Sequence, residues 1–136
     1  MATRELLVGA AVVGSGLNAG LFWAYQTSVV PALRRAADTT YLEAFQHINV
    51  AIENPAFLVV FTGTPLVLVA ATVATGNPFT SRPAALLAAA SVASIVGVIG
   101  VTVLRNIPLN ERMAALDLTT ATDVAAHGLR TSVEAA

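Results

Sequence analysis

The sequence predicts an all-α integral membrane protein: a helical bundle with three transmembrane helices, an amphipathic helix between spans 1 and 2, and a short helical tail. Three observations carry that expectation. Charged residues make up only 11% of the 136 positions and hydrophobic ones 56%, whereas a soluble domain carries about a quarter charged residues. Mean hydropathy is +0.74. The apolar residues also fall in three uncharged blocks, each long enough to cross roughly 30 Å of hydrocarbon. Such a chain lacks the polar residues to cover itself with water-facing surface, so residues 1–136 are expected to form a single membrane domain whose core is shared with lipid.

The first block, residues 6–30, contains no charge. A signal peptide would have a shorter apolar region, a more basic start and a small-residue cleavage site, whereas Arg4 is offset by Glu5, so this segment is expected to stay in the mature protein. The intervening stretch, 31–54, is long for a helix–helix connection. Thr40-Tyr-Leu-Glu43 reads as a capping box, and Tyr41, Leu42, Phe45, Ile48 and Ile52 recur at helical spacing, so an interfacial helix is expected over about 41–53. Asn54-Pro55 reads as the boundary before the second span, 55–75, because asparagine caps well and proline suits a first turn. The third span covers 84–104. Asn106-Ile-Pro108-Leu-Asn110 reads as its end, with Asn110 opening a short helix in the tail, 106–136.

Three spans place the amino terminus and the loop 76–83 on one side, and the loop 31–54 and the tail on the other. Arg34, Arg35, Arg105 and Arg112 lie near the membrane on the second side, against Arg4 and Arg82 on the first. The arginine excess predicts a multi-pass cell-membrane protein whose tail and 31–54 loop are cytoplasmic. Small residues at four-residue spacing, Gly16, Gly20 and Ala24 in the first span and Ala89, Ala93 and Gly97 in the third, read as ridges for helix packing within the chain in preference to a dimer seam.

Several function classes are excluded or disfavoured. A formal net charge of -1 with no lysine disfavours nucleic-acid binding. The absence of cysteine rules out a disulfide framework or thiolate metal site. No span carries an acid, base or histidine, which argues against an ion path or bis-histidine haem. What remains is a polar membrane face onto which the topology gathers Gln46, Asn49, Glu53, Asn54, Asn106 and Asn110. Carboxamides donate and accept without charge, which suits a cavity that orients an apolar ligand bearing carbonyl or hydroxyl groups. Trp23 ends the first span on that side, where an aromatic belt explains it as well as a pocket wall does. His47 projects toward Glu43 and is expected to face water. Asn18, deep in a span, is expected to make an interhelical hydrogen bond.

Gly20-Leu-Phe-Trp23, Phe45-Gln-His-Ile-Asn49, Asn54-Pro55 and Arg105-Asn-Ile-Pro-Leu-Asn110, in that order and spacing over roughly the first 112 residues, resemble the anthrone-oxygenase-like family of small membrane proteins. Characterised members oxidise anthrones to anthraquinones, and many others have no assigned reaction. The resemblance implies a cofactor-independent oxygenase acting on anthrone-like aromatic polyketides, without metal or flavin. Asn49, Glu53 and His47 would be the catalytic candidates, and Trp23, Gln46, Asn54, Asn106 and Asn110 the substrate-binding ones. Family members look like four-helix proteins, and Arg130-Thr131 resembles the opening of the last helix cut short, so the expectation here is a chain lacking the fourth span. The alternative reading is a non-catalytic membrane subunit or packing partner of a larger complex. The partners expected are the lipid bilayer, an apolar aromatic small molecule, and a second copy or another membrane protein.

Overall fold

The computed structural model describes residues 2–117 and 123–134. Among these, five helices follow one another: α1 (Ala2–Leu33), α2 (Asp38–Ile52), α3 (Pro55–Thr75), α4 (Arg82–Ala114) and α5 (Asp123–Glu134), with no strand. α1, α3 and α4 are long and apolar enough to cross a membrane. The fold class is therefore the one the composition predicts. Residues 118–122, which include the threonine pair of the tail, lie outside the described residues, as do residues 135–136.

Two of the spanning helices outrun their expected ends, each running on through a proline. Pro31 and Pro108 were positions where a helix should stop, since proline lacks an N–H and its ring crowds the carbonyl four residues back. The chain instead widens into π turns just before each, at Tyr25–Val29 and Thr102–Asn106, and carries on in α-helix through Val30–Leu33 and Ile107–Ala114. π geometry also occurs away from proline, at Ala93–Gly100, and α3 passes Pro65 in α-helix. Asn110 thus lies inside a helix and does not cap one. α2 also begins earlier than the capping box suggested: Ala37, in extended conformation, is its N-cap and Asp38 supplies the acidic first turn, leaving Thr40 inside the helix. The start of α3 is as expected, with the Asn54 side chain accepting from the Phe57 N–H at 3.0 Å and Pro55 in the first turn.

The chain divides into two compact units. The first comprises the described residues of Met1–Phe22 and Asn54–Val101. Here Ala11, Leu68 and Ala71 form the core, with Leu7, Val8, Val67 and Leu87 packed around it. Gly14 lies so close to Thr64 that a Cβ would collide with the hydroxyl. Asn18, 8% exposed, donates across to the Val60 carbonyl at 3.5 Å, the interhelical bond expected of it. Thr72 and Ser91 pair their hydroxyls at 3.3 Å between α3 and α4. The packing seam therefore runs through Ala11, Gly14 and Asn18. The ridges Gly16–Gly20–Ala24 and Ala89–Ala93–Gly97 are exposed, and a Cβ added at Gly16, Gly20 or Gly97 meets nothing within 4 Å. The expectation that those ridges pack within the chain is overturned: small size permits close approach but does not decide which small face is used.

The second unit comprises the described residues of Trp23–Glu53 and Thr102–Ala136. Tyr41, Leu42, Met113 and Ala126 form its core, all at most 1% exposed, with Leu33, Phe45, Leu116, Leu129 and Val133 packed against them. Of the expected apolar stripe of α2, Tyr41, Leu42 and Phe45 pack here against residues of α4 and α5.

Candidate functional site

The polar residues of the second unit divide into those the fold uses and those it leaves open. Gln46 is used. Its amide nitrogen donates to the carbonyls of Met113 at 2.6 Å and Leu116 at 3.1 Å. The Met113 carbonyl also accepts from the Leu116 N–H at 3.2 Å, so Gln46 ties α2 to the turn that ends α4. Asn54, in the other unit, is the N-cap of α3. Two of the residues expected to bind substrate thus hold helix ends.

Asn49, Asn106 and Asn110 differ. Among the described residues, none of their side chains makes a hydrogen bond. Asn49 stands one turn beyond Gln46 on α2 and Asn110 one turn before Met113 on α4, so both lie beside the contact that Gln46 makes. Both are half-buried, whereas Asn106, a further turn back, is exposed. Glu53 is the exposed C-cap of α2, and His47 is exposed on the same helix, as its position on the helical wheel predicts. Trp23 is 73% exposed, which fits an aromatic at a membrane boundary. Tyr25, not Trp23, reaches the α2 aromatics: its ring meets Phe45 edge-on at 6.3 Å, and Phe45 lies 4.8 Å from Tyr41. Among the described residues, no group of three or more His, Asp or Glu side chains converges as metal ligands would.

The strongest electrostatic feature of this unit was not legible as a site. Arg130, on α5, donates from Nη1 to Asp38 Oδ1 at 2.6 Å and to the Ala36 carbonyl at 2.9 Å, from Nη2 to the Arg34 carbonyl at 2.6 Å, and from Nε to Glu134 at 3.0 Å. Its guanidinium also lies 4.8 Å above the Tyr41 ring. His127 Nδ1 meets the other Asp38 oxygen at 2.9 Å. Hydrogen bonds from His127 and Arg130 hold the Asp38 carboxyl below its usual pKa, and bonds to Glu134 and Asp38 raise that of Arg130. Burial pushes the Tyr41 phenol up, so it stays protonated at neutral pH. With its donors aimed at the turn between α1 and α2, Arg130 fastens α5 there. It sits well inside α5, not at the opening of a helix as the resemblance suggested. No local spacing signals this cluster, because Asp38 and Arg130 are 92 residues apart.

The class of protein is thus an all-helical one with three helices long and apolar enough to span a membrane. Comparison with known families adds the particular one: the model of the anthrone oxygenase family matches residues 56–134. The match covers more than half of the chain, and the chain belongs to that family. It begins inside α3 and runs through α5, so the tail helix is part of what is shared. No curated protein and no solved structure gives a significant match.

Proposed function

We propose that the chain is a membrane-embedded oxygenase for anthrone-like aromatic substrates, with Asn49 and Asn110, assisted by Asn106, orienting the substrate's carbonyl and phenol groups. The observation that carries this reading is the set of three carboxamides left without protein hydrogen bonds among the described residues, in a member of the anthrone oxygenase family. Among the described residues no side-chain nitrogen or oxygen is buried without a partner, so these carboxamides remain accessible and can donate to and accept from a ligand.

The chemistry asks little of the protein beyond orientation and a base. Removal of a proton from the methylene carbon of an anthrone leaves a carbanion delocalised into the ring carbonyl. Dioxygen takes up that electron pair, forming a carbon–oxygen bond. Cleavage of the resulting O–O bond with loss of water leaves the second carbonyl of the quinone, so one O2 yields one quinone and one water. The base in this reading is Glu53, the C-cap of α2, or His47 on that helix, and the carboxamides stabilise the enolate oxygen by donation. The arginine excess on the α2 and tail side supports a cytoplasmic placement for this site.

The test is quinone formation from an added anthrone by purified protein, across pH, against the spontaneous rate. Turnover that falls about tenfold in Asn49→Leu and again in Asn110→Leu is the expected result, as one lost hydrogen bond in the transition state requires. A rate equal to the spontaneous one refutes the proposal. A second reading, a non-catalytic membrane subunit, has the exposed ridge Ala89–Ala93–Gly97 in its favour. Purification in mild detergent separates the two, since a defined complex with another membrane protein supports the subunit and a self-contained protein with bound aromatic molecules supports the enzyme.

A further inference from the structure

The first unit has an open cleft of about 700 Å3 where α1 begins, α3 ends and α4 begins. Its lining combines two kinds of surface. Val8, Leu86 and Leu87 form apolar walls, while Arg4, Glu5 and Ser81 supply polar groups. Among the described residues, Arg4 and Glu5 take part in no ion pair, and the Ser81 side chain makes no hydrogen bond although it stands at the N-cap of a helix. Gly9 also lines the space, and a Cβ there would meet nothing within 4 Å.

We infer that this cleft binds a zwitterionic amphiphile of the phosphoethanolamine class, with the phosphate on Arg4 and Ser81, the ammonium on Glu5, and an acyl chain along Val8, Leu86 and Leu87. The charge pattern selects the head group. A single cation would suit any anionic lipid, but a guanidinium and a carboxylate on adjacent residues, neither neutralised by the protein, complement a head carrying both signs. A choline head presents no N–H to the carboxylate and a glycerol head presents no cation, so both match less well. The apolar walls take a chain because burial of methylene groups supplies most of an amphiphile's affinity. This assignment does not depend on the oxygenase reading, since it involves the other unit of the chain.

Native mass spectrometry of the full chain in detergent, offered phosphatidylethanolamine, phosphatidylglycerol and phosphatidylcholine of matched chains, tests it. The wild type retains phosphatidylethanolamine about tenfold more strongly than either other lipid, as one charge-assisted hydrogen bond predicts. Glu5→Gln removes that preference, Arg4→Gln weakens retention of both phosphatidylethanolamine and phosphatidylglycerol, and Gly9→Leu, which enters open space, excludes all three while the helical circular dichroism is unchanged. Water-soluble phosphoethanolamine does not compete at the same concentration. Equal retention of the three lipids by the wild type, indifference to Glu5→Gln, or equal competition by the soluble head group would overturn the assignment.

Discussion

Gln46 and Asn49 are three residues apart on one helix and chemically alike, yet the fold treats them oppositely. The Gln46 amide spans from α2 to the carbonyls of Met113 and Leu116, while Asn49 makes no hydrogen bond among the described residues. Substitution should separate the two roles. Gln46→Ala removes the donor that joins α2 to the Met113 and Leu116 carbonyls and should cost about 1–2 kcal/mol, whereas Asn49→Ala should stay within about 0.5 kcal/mol in stability. Thermal unfolding in detergent, followed by far-UV circular dichroism, measures both. Asn54→Ala should cost about 1 kcal/mol through its lost cap. These carboxamides are conspicuous in the sequence as a group, but their division is not. The Asn54 cap is readable because its partner is three residues away; the Gln46 contact is not, because its nearest partner lies 67 residues on.

At the scale of the helix, existence is legible and ends are not. Apolar runs of spanning length reveal α1, α3 and α4, but not that α1 and α4 pass through Pro31 and Pro108, which local propensity marks as stops. The same gap separates small residues from packing seams. Four-residue spacing identifies several smooth faces, and lipid tolerates a smooth face as readily as a neighbouring helix does. Gly14→Val should therefore cost about 1–3 kcal/mol by driving a side chain into Thr64. Gly16→Val, facing open space, should change stability little, and detergent melts of the two variants test the contrast. α5 adds an electrostatic joint whose pH response has a definite sign. Asp38 has a depressed pKa in the folded state, from its hydrogen bonds to His127 and Arg130. Its contribution is fully present above the ordinary value near 3.8 and is lost as pH falls through the lower folded one. Hydrogen exchange of the α5 amides should accelerate in that acidic window. In Asp38→Asn it should already be faster at neutral pH and should lose that acid step.

On the scale of the molecule, each unit has its own core, and the two cores are made differently. The membrane-spanning unit closes around alanine, leucine and a glycine contact, with lipid as its outer solvent. The other unit closes around Tyr41, Leu42 and Met113, with helices α2, α4 and α5 contributing in turn. Composition exposes the first arrangement at once, since charge-free runs need lipid. The second depends on pairings between residues near 40 and residues near 113 and 130, which no sequence window contains. Stability should follow the same division. Leu42→Ala removes a side chain that is wholly buried and should cost about 2–5 kcal/mol by transfer and cavity terms together. Because opening occurs in cooperative units and not uniformly, the loss should fall on one set of amides. Hydrogen exchange should quicken across Asp38–Ile52 and Asp123–Glu134 and remain slow across Pro55–Thr75. Equal acceleration in α3 would mean that the chain opens as a single cooperative body. If the loss is confined as expected, α2, which carries Asn49, and α5 open together while α3 stays closed.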